Sequence, residues 1–582
     1  CARVKIKMAK RRKTNDEGSA YFNPWAWARA SKISARTFND ALFRESRSNS
    51  NAVTKVTAGL APRLWNNEGQ AIVRSVTGVR RDGSRVHLIC KCATLGREVR
   101  KSRGGKWSFA AKAGAAKPID DRVAEFKRRV KERSFVAETA FLRVVAALPD
   151  ALRVNALHVP ALLHGAAGVL EEEEGTDHLV ENSYPVAAAS ACCGASGGGI
   201  GPSLSLADVD WSAAPPLAPT VFTLLLEDLT RGTATWRRRR GEEAEADDDG
   251  TGPPRCVARG GEEDGWTLSN DQARCAVKWL ATLHSVPWQR FAALGGAAPL
   301  RPHLDRVWGA GSYWNLSKRR HQWNPIATME RWQATWAALD DEDAEGTALD
   351  WRGGAQPIDL NALRAEPGVA DLAERLLAAA PALDRYLYVD AAARMERLDK
   401  FNRTGIRSRR TLIHGDAKSE NIFFQCSTTG VAERCYGCDF QWIGYGLGVI
   451  DICYLLVTSV GDKDSFDDLI RCYHLHLIKM QNEVWSSDTA TADFGLPPSD
   501  GSGRRSGSGS GVVSLSVLRS EFDIALLDFA RFCIVDGVVL ADDAWLIREA
   551  AQLMNELNLN LEASGGAVVD YDAAIEAHVM GT

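Results

Sequence analysis

The chain has 582 residues, of which 45% are hydrophobic and 25% charged, with a formal net charge of −3. That length exceeds what one hydrophobic core usually organises, so two lobes with insertions are expected. The near-neutral balance provides no field to steer the chain to nucleic acid, no apolar run has the length of a membrane span, and no signal-peptide pattern is present.

The 13 cysteines are scattered, and Cys435-Tyr-Gly-Cys438 has no second pair at zinc-ribbon spacing. Reduced thiols in a cytoplasmic protein are therefore expected rather than a disulfide framework or a metal site. The chain starts at Cys1 rather than at methionine, which leaves room for a targeting segment upstream.

Residues 1–55 carry the basic cluster Lys7, Lys10, Arg11, Arg12 and Lys13 among small polar residues, and read as a mobile, solvated arm. Strand character begins in 56–229. "AIVRSVTGVRRDGSRVHLICKC" (71–92) has two apolar or alternating runs joined around Asp82-Gly83, a hairpin signal. Its second run puts Val86, Leu88, Cys90 and Cys92 on one face and His87, Ile89 and Lys91 on the other.

In "DDRVAEFKRRVKERSFVAETAFLRVVAAL" (120–148), apolar residues at 123, 126, 130, 137, 141, 145 and 148 keep helical spacing. Glu138 shares the buried stripe with Phe141, Val145 and Leu148, where a carboxylate is costly unless a cation or donor meets it. An insertion is expected at about 165–218, whose glycines miss the dinucleotide and phosphate-loop spacings. "TVFTLLLEDLT" (220–230) reads as a buried strand ending in Glu227-Asp228, and 230–265 as a self-neutralising charged insertion.

Helical periodicity dominates 266–582, interrupted by a Gly/Ser-rich flexible insertion at about 486–512. Within it, "TLIHGDAKSENIFF" (411–424) sets His414, Asp416, Lys418 and Asn421 between two apolar runs that read as short buried strands. Asp439 follows another small strand; Gly444-Tyr-Gly446-Leu-Gly448 reads as a turn, and a helix is expected near Asp451, which is expected to cap it and to bond to the 414–421 loop. Asp416, Asn421 and Asp439 supply one carboxylate for a proton and two oxygen ligands for a hard cation, the set that magnesium-assisted phosphoryl transfer needs.

"HGDAKSEN" followed by "DFQ" resembles the catalytic and metal-binding loops of the protein-kinase-like small-molecule kinases: the aminoglycoside phosphotransferase, choline kinase and ecdysteroid kinase-like families. "LLLEDLT" resembles their hinge, "WLATLHSVPW" and "AGSYWNLSKRRHQW" resemble segments of the ecdysteroid kinase-like branch, and "EFDIALLDFARF" its C-terminal helix. The resemblance runs from about residue 60 to the end, outside the insertions.

It implies an α+β, bilobal, protein-kinase-like fold, with a small N-terminal lobe of antiparallel sheet plus one long helix and a larger, mainly helical C-terminal lobe. The implied activity is ATP- and Mg2+-dependent phosphorylation of a hydroxyl on a small-molecule acceptor. By matching positions, Asp416 is the catalytic carboxylate and Lys418 steadies the moving phosphate. Asn421 and Asp439 hold the metal, Lys91 paired with Glu138 holds the ATP phosphates, and Glu227, Asp228 and Leu229 form the adenine hinge.

His414 is read as a structural, neutral histidine. Tyr313, Trp314 and Trp323 are candidates for the acceptor pocket or for core packing. The phosphate-covering loop near "LWNNEGQAIVRSV" departs from the pattern, with Gly69 its one glycine. Two rival readings are a catalytically idle nucleotide-binding scaffold and a protein kinase. Against the second, the chain passes from Asp439 to a helix within a few residues, with no Ala-Pro-Glu.

Overall fold

The computed structural model describes residues 53–58, 71–80, 85–95, 98–101, 107–110, 121–148, 157, 159, 162–173, 176–180, 220–227, 267–286, 288, 301–304, 306–319, 322–337, 360–388, 410–427, 430–481, 513–536, 544–563 and 570–580. Gly69, Asp228, Leu229, the charged stretch 230–265 and the Gly/Ser-rich stretch 486–512 lie outside them, as does the N-terminal arm up to residue 52. The described fold is mixed α and β, and mainly helical beyond residue 266.

A six-stranded antiparallel sheet is ordered β1-β2-β3-β8-β6-β7. Its strands are β1 (Val53–Ala58), β2 (Ala71–Arg80), β3 (Arg85–Leu95), β6 (Leu162–Glu173), β7 (Thr176–Val180) and β8 (Thr220–Glu227). β4 (Glu98–Lys101) and β5 (Trp107–Ala110) form a separate hairpin. β2 and β3 form the expected hairpin, with Val73 opposite Lys91 and Ser75 opposite Ile89. β3 and β8 lie in the interior, pairing Lys91 with Leu224. Lys91 is therefore held by backbone ladders on both sides, and a frame of this kind can aim a side chain. β6 and β7 occupy the start of the stretch expected as an insertion, and β6 pairs with β8.

Helix α1 (Asp121–Ala147) packs against this sheet. The later part of the expected stripe is buried, with Ala137, Glu138, Phe141, Val145 and Leu148 all shielded, and Val130 is half-buried. The remaining helices are α2 (Asn270–Ser285), α3 (Arg301–Leu304), α4 (Leu316–Arg319), α5 (Pro325–Ala337), α6 (Leu360–Ala365), α7 (Leu372–Tyr388), α8 (Val449–Ser459), α9 (Phe466–Lys479), α10 (Leu515–Asp536), α11 (Ala544–Ala563) and α12 (Tyr571–Met580). Ser269 opens α2 with a capping box, its side chain accepting from Gln272 N while the Gln272 side chain accepts from Ser269 N.

Helix α10 is buried almost all round, from Ser520 to Val535. Such a helix must partner any charge it carries. Tyr386 donates to Glu521 at 3.1 Å and Tyr388 to Asp528 at 3.2 Å, both from α7. Arg531 Nε donates to Asp528 Oδ1 at 2.8 Å within α10 itself.

Two short ribbons carry the polar loop: β9 (Arg410–Ile413) with β12 (Gly444–Leu447), and β10 (Ile422–Cys426) with β11 (Ala432–Gly437). The expectation of a turn at 444–448 is corrected here, since Gly444 to Leu447 form a strand antiparallel to β9. The glycine serves close approach instead: a Cβ on Gly444 would stand 2.5 Å from the Trp308 carbonyl oxygen. Trp308 N donates to Ile443 O at 3.0 Å and Tyr445 N to Trp308 O at 3.0 Å, so the chain at 308 runs along this strand.

Candidate active site

The loop His414–Asn421 begins where β9 ends and closes through a 3-10 turn (Ser419–Asn421) into β10. Leu412, Ile413, Ile422 and Phe424 are buried and hold both ends. Gly415 has φ +80, and a Cβ there would lie 2.4 Å from Trp442 O and 2.5 Å from Ser312 N. Only glycine fits between those two backbones without strain. Asp451, in the first turn of α8, accepts from His414 N at 2.6 Å and Gly415 N at 2.8 Å. Its carboxylate also accepts from His284 Nε2 at 3.1 Å, while Tyr473 Oη lies 2.9 Å from His284 Nδ1. Asp451 thus ties down the loop as expected, but it does not cap its own helix, whose N-cap is Gly448.

His414 Nε2 donates to Cys438 O at 2.8 Å, and Nδ1 accepts from Asp416 N at 3.3 Å. Burial lowers its pKa, so the ring is neutral and structural, as expected. Asn421 Nδ2 donates to the Asp416 backbone oxygen at 2.8 Å and to Asp416 Oδ2 at 3.0 Å. Asp416 is pushed up to about 7, chiefly by burial, with Lys418 pulling it down. Lys418 is half-buried and stands 3.9 Å from Glu420.

Lys91 reaches this loop region from the sheet. Its ammonium donates to Glu138 Oε2 at 2.9 Å and Oε1 at 3.2 Å, and to Asp439 Oδ1 at 2.8 Å. Glu138 is 1% exposed, and burial pushes its pKa up to about 7 while Lys91 opposes that rise. Lys91 itself is raised: burial opposes its charge, but Asp439 and Glu138 outweigh it. Asp439 adopts φ +61, a left-handed conformation few non-glycine residues take. Strain of this sort persists where surroundings impose it, often at functional sites.

Asp416 and Asn421 thus meet on one loop, and Lys91, Glu138 and Asp439 meet at one buried ion cluster. Among the described residues, Asn421 Oδ1 and Asp439 Oδ2 accept no hydrogen bond, which leaves two hard oxygens of the kind magnesium binds. Glu227 ends β8; its Cα pairs with that of Leu88. Cys435 and Cys438 are free thiols, both with pKa values raised by burial.

Sequence reasoning picked out residues 310–323 by resemblance, but missed that Trp308–Arg319 runs as a strap along the loop and that Lys318 holds it. Tyr313 N donates to Gly415 O at 3.1 Å, and Gly311 N to Tyr445 O at 2.8 Å. Lys318, 3% exposed, gathers three successive carbonyls: Ala310, Gly311 at 2.9 Å and Ser312 at 2.7 Å. Ser312 takes φ +68, which is part of how the three oxygens converge. A buried lysine six to eight residues beyond its acceptors leaves no periodic trace in sequence. Of the aromatic candidates, Trp314 is core, with its ring 4.8 Å from Tyr454 and 5.5 Å from Phe529. Tyr313 and Trp323 keep partial exposure.

No curated protein matches the chain. The ecdysteroid kinase-like family model matches residues 373–484, a segment that holds the His414–Asn421 loop, Asp439 and Asp451. The resemblances read at 279–288, 310–323 and 521–532 lie outside that segment. Over residues 373–484, the chain is similar to the ecdysteroid kinase-like family.

Proposed function

We propose that the protein is an ATP- and magnesium-dependent phosphotransferase that phosphorylates a hydroxyl of a small-molecule acceptor. The observation that carries this reading is the convergence of Lys91, Glu138 and Asp439 in one buried cluster, beside a loop in which Asn421 is bonded to Asp416. In this reading the sheet with α1 and the helical remainder are the two lobes of a protein-kinase-like fold, and nucleotide binds between them.

Each residue then has a role that its chemistry suits. Lys91 binds the ATP phosphates and Glu138 holds Lys91 in place. Asn421 and Asp439 hold magnesium, which neutralises phosphate charge when bound. Lys418 steadies the moving phosphate, and Asp416 orients the acceptor hydroxyl and takes its proton. The backbone at Glu227, Asp228 and Leu229 meets adenine.

The test is transfer of label from gamma-labelled ATP into a size-fractionated cell extract, comparing the protein with Asp416→Asn. Label is expected in the small-molecule fraction, with turnover of the variant lower by roughly two to four orders of magnitude and ATP binding retained. Label in protein would favour the protein-kinase reading. No label despite ATP binding would leave a nucleotide-binding scaffold.

A further inference from the structure

The face beside Asp416 is aromatic, and it holds a cation. Trp308 and Trp442 stack with centroids 5.9 Å apart, Trp442 and Tyr313 lie 6.2 Å apart, and Tyr313 meets Phe532 edge-on at 5.3 Å. Trp308 and Phe532 are buried, whereas Tyr313 and Trp442 keep part of their surface open. Both open residues flank the loop: Tyr313 N binds Gly415 O, and Trp442 O fills the space where a Gly415 side chain would begin. Burial, and then the Asp416 carboxylate, raise the pKa of the Tyr313 hydroxyl. Tyr454 Oη donates to Tyr313 Oη at 3.2 Å, which leaves the Tyr313 proton to be donated elsewhere.

Arg319 lies over this face. Its Nε donates to Tyr313 O at 2.9 Å, and its guanidinium carbon stands 5.0 Å from the Tyr313 ring centroid and 5.6 Å from that of Phe532. It is half-buried, and among the described residues no carboxylate pairs with it. The carboxylate next along the loop, Glu420, stands 3.9 Å from Lys418 instead. A guanidinium with one of its five donors bound to a carbonyl keeps a planar fork suited to an oxyanion. Arg319 is bonded to the carbonyl of the residue whose amide binds Gly415, so its charge lies within a small molecule's length of Asp416.

We propose that the acceptor is a hydroxylated ring compound that carries a carboxylate or a similar oxyanion. The ring lies against Tyr313 and Trp442, the oxyanion is bound by Arg319 and the Tyr313 hydroxyl, and the hydroxyl to be phosphorylated sits at Asp416. This assignment rests on the phosphotransferase reading above. In the transfer the acceptor oxygen bonds to the gamma phosphorus of ATP as the bond from that phosphorus to the bridging oxygen breaks. ADP leaves with the electron pair, and the hydroxyl proton passes to Asp416 and then to solvent. A quaternary or polyamine acceptor would meet the Arg319 charge and be repelled.

A metabolite extract separated beforehand by ion exchange into anionic, neutral and cationic pools is offered to the protein with gamma-labelled ATP and magnesium. Label is expected with the anionic pool. Arg319→Leu is expected to raise the acceptor concentration needed for half-maximal transfer by about tenfold or more, the usual weight of a charge-assisted contact, with ATP affinity unchanged. Arg319→Lys, which keeps the charge, is expected to show a smaller rise and serves as the test if the leucine variant does not fold. Transfer supported by the neutral or cationic pool, with both variants indifferent, overturns the assignment. So does a loss of thermal stability in either variant with unaltered acceptor dependence, because Arg319 would then only brace Tyr313. Absence of label from every pool, with ATP bound, overturns the phosphotransferase reading itself.

Discussion

At the Lys91 ammonium, Glu138 and Asp439 share one buried cation, and their demands differ. Glu138 is shut away on the stripe of α1, so its charge depends on Lys91; Asp439 is more open and can turn to another cation. Replacing Glu138 by Gln keeps the volume but removes the anion, and the freed ammonium then favours Asp439 alone. Under the proposed roles, this variant binds magnesium-ATP about 10- to 100-fold more weakly, the weight of one hydrogen bond to a charged group, which calorimetry measures. An unchanged affinity would mean that the pair only supports the fold. The Lys91–Glu138 pair was legible in the sequence because a carboxylate on an apolar stripe demands a partner and the adjacent strand offered one. The share of Asp439 in that pair was not, since 348 residues separate it from Lys91 and no periodicity spans that gap.

Between elements, the strap and α7 meet at Asp384, whose Oδ1 accepts from Asn315 Nδ2 at 2.8 Å and Leu316 N at 3.3 Å. Burial and then Asp528 push its pKa up from 3.8 to about 6, with Arg531 opposing. Between those two values the folded chain keeps a proton that the unfolded chain has released. The stability contributed by this group therefore falls as pH rises from about 4 to about 6, and the penalty is complete above that window. Asp384→Asn keeps Oδ1 for both donors and removes the charge. We expect the variant to gain stability relative to the parent on going from pH 4 to pH 7.5, by on the order of 1–3 kcal/mol at about 1.4 kcal/mol per unit. Denaturant titrations at the two values test this, and an equal difference at both would show that folding does not raise the carboxyl's pKa. At this scale the 71–92 hairpin, the 121–147 helix and the strands around the polar loop were readable from period and flanks. The β12 strand was not, because Gly444 answers to Trp308, a contact distant in sequence.

For the whole molecule, the Lys91–Asp439 contact joins the antiparallel sheet to the helical region, so a ligand that engages both residues acts on the stability of the entire chain. A nucleotide bound to the folded state alone, at about 100 times its dissociation constant, stabilises that state by about 2.7 kcal/mol. Under the proposed roles, magnesium should enlarge this effect through Asp439 Oδ2 and Asn421 Oδ1, which accept no hydrogen bond among the described residues. Under the proposed roles, Asp439→Ala removes one magnesium ligand and leaves Lys91 to Glu138 alone, and ATP without metal should still raise the unfolding midpoint. The increment that magnesium adds for the parent should vanish in the variant. Scanning calorimetry of both proteins with ATP, with and without the metal, separates the two contributions. A magnesium increment that survives in Asp439→Ala would move the metal to other ligands, while loss of the ATP effect itself would show that Asp439 orders the nucleotide site through Lys91 rather than through the cation.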